Sequence, residues 1–310
     1  GFDARAELAF EITAAEQIPA VMQEITTKKL PWRVLGGGSN VILPKTLPGA
    51  TLLIHILGIE VIGSHSESTT IAVGSGVNWH QFVSWTLDHD FGGLENLAQI
   101  PGTVGAAPIQ NIGAYGVEVA QYIDHVTAYD VVHSQFVKLT NSQCQFAYRD
   151  SIFKQHPKQF IITQVSFKLP KQWQARLHYA DLATLAPETT QAKDIFDAVC
   201  NIRSNKLPNP AMIGNAGSFF QNPLVSNEQY QSLLKEFPRS ETGFQVARNS
   251  LLNRMASTRK VRQSILYAWD EMNRMGIDHD INRDIYSVAE KLTLDDIAGF
   301  HQSMINGQKF

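Results

Sequence analysis

FGGLENLAQIPGTVGAAPIQNIGAYGVE, residues 91–118, is the stretch from which the rest of the chain can be read. It holds six glycines and two prolines, and its only charges are Glu95 and Glu118. Glycine and proline both disfavour helix interiors and ordinary half-buried strands, so neither element fits. The stretch can instead turn sharply and repeatedly, presenting backbone N–H groups with no Cβ in front of them. Amides arranged in a concave turn bind anions such as phosphate. A surface linker is the plainer alternative, but linkers are usually rich in Ser, Lys and Glu. Here Ile100, Val104, Ile109, Ile112 and Tyr115 sit among the turns. That apolar content predicts an ordered loop, packed against other structure and able to hold a ligand.

Upstream, Trp32–Leu35 reads as a short buried strand running into Gly36, Gly37, Gly38, Ser39 and Asn40, with strand character resuming at Val41–Leu43. Strand, glycine turn and strand make a second candidate for phosphate binding. The turn lacks both the lysine of a Walker loop and the spaced glycines of the dinucleotide fingerprint. Taken alone it is explained equally well as a hairpin turn; two such loops in one chain strengthen each other.

The whole chain, 310 residues with 44% hydrophobic and 18% charged residues, has the composition of a soluble protein of two or three packed units. A formal net charge of −3 gives no support to a nucleic-acid partner. Cys144 and Cys200 are the only cysteines, too few for a disulfide framework or a thiolate zinc site. This predicts a reduced, cytoplasmic protein with no bound metal. No apolar run reaches the eighteen or so residues of a membrane span, and no signal peptide is evident.

Ile18, Val21, Met22 and Ile25 share one helical face, with Thr13 as the expected N-cap and Glu16 completing a capping box. Thr51–Ile56, Thr70–Val73, Tyr122–Tyr129, Gln135–Leu139 and Phe160–Leu169 read as strands, and Trp79–Leu87 as a helix. Thr190–Asn205 reads as a helix with Ile195, Val199 and Ile202 on one side. Residues 214–223, GNAGSFFQNP, form a third turn-rich stretch. From about residue 241 the character changes: Val261, Ile265, Ala268, Met272 and Met275 trace a helical face ending at Gly276. Thr293-Leu294-Asp295-Asp296 resembles a capping box.

Four of these stretches, IPGTVGAAPIQNIGAYGVE, LGGGSNVIL, YRDSIFK and GNAGSFFQNP, occur in an order and at intervals that resemble the UDP-N-acetylenolpyruvoylglucosamine reductases over roughly residues 1–237. The resemblance implies an α+β chain with the two-subdomain FAD-binding fold of the vanillyl-alcohol-oxidase type. FAD-binding subdomains are expected over 1–57 and 58–172, with part of a substrate-binding domain over 173–240. It implies a monomeric enzyme that uses NADPH to reduce the enolpyruvyl group of UDP-N-acetylglucosamine enolpyruvate, giving UDP-N-acetylmuramate for peptidoglycan.

Carried over position by position, the cofactor pocket comprises Leu35, Gly36, Gly37, Gly38, Ser39, Asn40, Ile100, Pro101, Gly102, Val104, Gly105, Ala106, Ala107, Ile109, Asn111, Ile112, Gly113, Ala114, Gly116 and Ile162. The catalytic residues are Arg149, which stabilises charge on the substrate carboxylate, and Ser218, which donates a proton to the carbanion-like intermediate. Tyr148, Tyr179, Lys206 and Asn222 match positions that contact the nucleotide sugar or NADPH, with Lys206 a natural cation for a diphosphate. Without the resemblance, Arg149 reads as a surface residue paired with Asp150, and Ser218 as a turn serine bonded to its own backbone.

Beyond about Pro238 the resemblance ends, and the family's Glu-Pro-Glu-Val-Arg motif, with its acid-donating glutamate, is absent from the 310 residues. Residues 244–310 are instead similar to the C-terminal helical end of insulinase-like metallopeptidases, expected over 241–310 as a helical segment. The inverted zinc motif His-x-x-Glu-His is also absent, so no peptidase activity follows. The expected consequence is a reductase slowed by loss of one acid; the alternative is an FAD-binding module that no longer turns over, its tail a packing or interaction surface. Asp88-His89-Asp90 and Asp278-His279-Asp280 read as solvated loops rather than metal clusters. Arg248, Arg254, Arg259, Lys260 and Arg262 read as a solvated helix face, and both cysteines as inert thiols.

Overall fold

The computed structural model describes residues 4–206, 225–229, 232, 239–257 and 281–299. Contacts divide the chain into two compact units, Gly1–Gln221 and Asn222–Phe310.

The first unit opens with β1 (Arg5–Ile12), α1 (Gln17–Thr27), β2 (Trp32–Leu35) and β3 (Thr46–Ile54). These strands form a parallel sheet in the order β1-β3-β2. The parallel register requires a crossover, and α1 supplies one. Its buried face, Ile18, Met22 and Ile25, packs with Ala50, Leu52 and Ile54 of the central strand. The N-terminus of α1 differs from the expected Thr13 capping box. The helix begins at Gln17, whose Oε1 reaches back to accept from the Thr13 and Ala14 amides at 2.8 and 3.0 Å. Gln17 thus fills the role expected of Glu16 in the box, reaching back to the Thr13 amide from one residue further on. β2 lies where expected but at a sheet edge, so it is half-buried rather than buried. Val41–Leu43 form no strand: Val41 and Ile42 are exposed, and the sheet resumes only at Thr46.

The second sheet is built from β4 (Ile59–Ser64), β5 (Ser68–Gly74), β8 (Ile123–Asp130), β9 (Gln135–Thr140) and β10 (Phe160–Pro170), antiparallel in the order β4-β5-β10-β8-β9. On it lies α2 (Trp79–Asp88), whose Trp79, Phe82 and Val83 are buried with Phe167 of the central strand. The ring centroids of Phe82 and Phe167 are 4.9 Å apart. Residues 91–118 fold over the same core, burying Leu94, Leu97, Val104, Ala107 and Ile112. Within them β6 (Gly113–Ala114) and β7 (Val117–Glu118) form a small hairpin. Its turn, Tyr115-Gly116, takes positive φ at both residues, the geometry of a type I′ turn. The loop is ordered and packed, as its apolar content predicts. Tyr129 and Ile161 reach from the second sheet into the core of the first.

The short α3 (Ile152–Gln155) precedes β10. After β10 the chain runs without regular structure to a single 3₁₀ turn (Ala180–Leu182) and α4 (Ala192–Lys206), which buries Ile195 and Val199.

In the second unit, α5 (Glu241–Ser257) and α6 (Ile281–Lys291) are described. The Thr293 capping box is present as read: Asp296 Oδ2 accepts from the Thr293 amide at 2.8 Å, and Thr293 Oγ1 from the Asp296 amide at 3.2 Å. The helical face from Val261 to Gly276 and the Asp278-His279-Asp280 triplet lie outside the described residues.

Candidate functional site

Two glycine-rich segments, about 65 residues apart in sequence, meet in space. A Cβ on Gly36 would fall 2.6 Å from Thr103 Oγ1, and one on Gly37 would lie 3.4 Å from the Gly102 Cα. From the other side, a Cβ on Gly102 would meet Ser39 Oγ at 3.2 Å. Asn40 Nδ2 approaches Gln110 Oε1 at 3.5 Å. A side chain at Gly36 or Gly102 would make the Thr103 or Ser39 hydroxyl turn aside, and Gly37 rests on the Gly102 backbone at ordinary contact distance, so the two turns touch.

The amides of the long loop divide into two groups. Those of Val104, Gly105, Ala106, Ala107, Ile109, Asn111 and Ile112 bond backbone carbonyls of the protein, with Val104 on Val77 and Gly105 on Ser75. These residues shape the site rather than donate to an anion, which narrows the expectation that the whole segment offers its amides. By contrast, no acceptor among the described residues takes the amides of Gly36, Gly37, Gly38, Ser39, Asn40, Gly102 or Thr103. Gly36–Asn40 are exposed, and Gly38 has φ +65°. Unengaged donors on two touching turns, with no cation among them, suit a diphosphate held by backbone amides. Leu35 closes β2 immediately before the first turn, and Pro101 with Ile100 enters the second. Ile162 shares the buried cluster of Val104, Ala107 and Ile112, and Thr163 accepts from the Ser75 amide, tying the loop to β10.

Arg149 does not pair with Asp150. Its guanidinium donates to the Gly113 carbonyl (Nη2, 2.7 Å) and the Asn111 carbonyl (Nη1, 3.3 Å) and lies 5.1 Å from the Tyr148 ring. Asp150 instead accepts from Gln155 Nε2. Asn111, fully buried, bonds Glu118, the Ala147 carbonyl and the Ala120 amide, so the loop end that holds Arg149 is itself pinned. Beside the hairpin, Tyr115 and Tyr179 pack edge to face with centroids 5.2 Å apart. Lys206 donates to Asp181 Oδ2 at 2.6 Å, an ion pair that raises the lysine pKa. Ala114 and Gly116 flank this group within the hairpin. Ser218 and Asn222 lie outside the described residues.

Glu95 belongs to none of the motifs in the sequence, yet it is a fully buried carboxylate inside the loop. Its Oε2 accepts from the Gly93 amide and its Oε1 from Trp173 Nε1, while burial pushes its pKa up. The signal that marks it is an acid among apolar neighbours, one of only two charges in residues 91–118. Burial, and then nearby Arg203, lower the pKa of His80; its Nδ1 accepts from the Gln99 amide and its ring stacks on Phe196. No group of three metal-binding side chains occurs among the described residues, and His89 of the first acidic triplet bonds the Trp85 carbonyl.

Residues 6–135 match the family model described as "FAD binding domain". The UDP-N-acetylenolpyruvoylglucosamine reductase of Polynucleobacter asymbioticus is 66% identical over 240 residues, covering 77% of this chain and 70% of the relative. That of Burkholderia cenocepacia is 45% identical over 245 residues, with the same coverage of 77% and 70%. Among solved structures, UDP-N-acetylenolpyruvylglucosamine reductase from Thermus caldophilus superposes with a TM-score of 0.50 at 22% identity, covering 72% of each chain.

Proposed function

The chain belongs to the UDP-N-acetylenolpyruvoylglucosamine reductase family, and from that premise we propose how its residues carry the family's chemistry. It is an FAD-dependent reductase of peptidoglycan synthesis, built on the two-subdomain FAD-binding fold of the vanillyl-alcohol-oxidase type. The reductant is NADPH and the substrate UDP-N-acetylglucosamine enolpyruvate. The observation that carries this reading is the meeting of Gly36–Asn40 with Gly102–Thr103 through unengaged amides. These fit a flavin dinucleotide because its diphosphate needs several donors and, with backbone amides, no fixed lysine. FAD held there would supply the hydride chemistry that links NADPH to the enolpyruvyl double bond.

The remaining work falls to side chains. Arg149, anchored on two loop carbonyls, keeps further N–H donors for the substrate carboxylate and stabilises the charge that develops there. Ser218 supplies the proton that completes reduction. Lys206, with Tyr179, Tyr148 and Asn222, binds the nucleotide sugar or NADPH; to do so Lys206 exchanges Asp181 for a phosphate oxygen. The partners are small molecules, not nucleic acid or membrane, and the protein works as a cytoplasmic monomer. Two free cysteines are consistent with that compartment. Among the described residues no helix is long and apolar enough to cross a membrane.

A second reading, a flavin module that accepts electrons without turning over, is favoured by one observation: the Polynucleobacter relative aligns with 240 of the 310 residues. Loss of a catalytic acid costs about 10²–10⁴-fold in rate. Anaerobic mixing separates the two. NADPH should bleach the flavin absorbance, and UDP-N-acetylglucosamine enolpyruvate should restore it. Bleaching without restoration selects the second reading, and a protein that takes up no flavin overturns both.

A further inference from the structure

Residues 171–178 leave β10 and cross to the 3₁₀ turn at Ala180 with no regular structure, yet they carry Tyr179 to the Tyr115 ring. Two adjacent buried side chains hold this strap. Glu95 accepts from Trp173 Nε1 at 2.7 Å, and Asn96 Nδ2 donates to the Arg176 carbonyl at 2.9 Å. The same two residues hold the glycine loop. Glu95 accepts from the Gly93 amide at 2.6 Å, and Asn96 Nδ2 donates to the Tyr115 carbonyl at 3.0 Å. The strap is also seated sterically, because a Cβ on Gly92 would fall 2.3 Å from the Trp173 ring.

The residue types match the task. Two N–H groups converge on position 95, and only a carboxylate presents an acceptor to each; a glutamine would turn its own NH₂ toward one of them. Two carbonyls converge on position 96, and an amide nitrogen has one hydrogen for each; an aspartate would set negative oxygen against both. Filling space would require neither choice.

We propose that Glu95 and Asn96 are positioning residues: a buried acceptor–donor clasp that locks the strap 171–182 to the glycine loop and so sets Tyr179 against Tyr115 for nucleotide-sugar binding. The inference rests on the reading of Tyr179 as a substrate contact. It implies that the strap and the hairpin tip move as one piece, and that damage to the clasp weakens the nucleotide while sparing the flavin.

The test uses the full chain loaded with FAD, comparing wild type with Glu95→Gln, Asn96→Asp, Trp173→Phe and Tyr179→Phe. Hydrogen exchange, flavin content and UDP affinity by calorimetry are the readouts. In Glu95→Gln and Trp173→Phe, amides of 173–182 should exchange about tenfold faster and UDP should bind about tenfold more weakly, the effect of one lost hydrogen bond. Asn96→Asp should do the same or more, and flavin content should hold. Trp173→Phe keeps an aromatic ring, removes the N–H donor and leaves the carboxylate in place, so it decides the matter if Glu95→Gln fails to fold. Unchanged strap exchange overturns the proposal. So does protection lost equally across β5 and β10, or UDP and FAD weakened together, since general destabilisation would do that. If Tyr179→Phe leaves UDP affinity untouched while the clasp variants still open the strap, the Tyr179 reading fails and the substrate half of the proposal falls with it.

Discussion

A methyl group at Gly105 would lie 2.5 Å from the Ser75 Cβ and 3.0 Å from its carbonyl oxygen, the oxygen that already accepts the Gly105 amide. Neither neighbour can rotate away, so Gly105→Ala must displace the loop from the end of β5. It is expected to cost about 1–3 kcal/mol of unfolding free energy, read by chemical denaturation. Gly38 offers the contrast. Nothing lies within 4 Å of its Cβ position, so Gly38→Ala should cost only the left-handed backbone strain, about 1–2 kcal/mol. Cys144 is fully buried, and burial pushes its thiol up to about 12. It should resist alkylation at pH 8 in the folded protein and react once denaturant is added; fast labelling under native conditions would contradict the packing. His80 titrates the other way. Its folded pKa lies below the usual 6.5, so its neutral form contributes stability above that pH, and the contribution disappears as pH falls through the folded value. His80→Gln should therefore flatten the loss of stability as pH falls below about 6.5.

At the scale of elements, α2 matters most to the site because its N-terminus abuts the loop. Asn78 Oδ1 caps the Gln81 amide at 3.0 Å, and the Trp79 amide bonds the Gly102 carbonyl. Asn78→Ala should cost about 1 kcal/mol, and Asn78→Asp much less, measured by thermal unfolding. Most of these elements are legible in the sequence. The β-branched runs at Tyr122–Tyr129 and Phe160–Leu169 correspond to β8 and β10 within a residue, and the amphipathic face of α4 is the buried one. β4 escapes such a reading because Ile59–Ser64 sits at a sheet edge with Val61 and Ile62 exposed, so no apolar alternation marks it. Val41–Leu43 misleads for the opposite reason: three apolar residues read as a strand, but Pro44 follows at once and no partner strand pairs with them. The start of α1 falls later than its capping signal because Gln17, not Glu16, reaches back to accept from the Thr13 amide.

For the whole molecule, glycine content suggests two anion-binding turns but does not say which amides remain unengaged. That depends on long-range bonds such as Gly105 to Ser75, which local patterning does not encode. The Arg149 anchor on Gly113 and the Glu95 bond to Trp173 are likewise contacts between distant segments, invisible to periodicity. What is legible is a pair of glycine turns suited to an anion; that they touch, at Gly36–Gly37 and Gly102–Thr103, comes from the structure. The central claim is that these backbones grip a diphosphate, and comparative titration of the flavin-free protein with FAD and with riboflavin tests it most directly. Two or more amide bonds to a charged group, each about 1.5–3 kcal/mol, predict one FAD per chain bound at least about 100-fold more tightly than riboflavin. Equal affinity for the two, or no FAD uptake by folded protein, would contradict it.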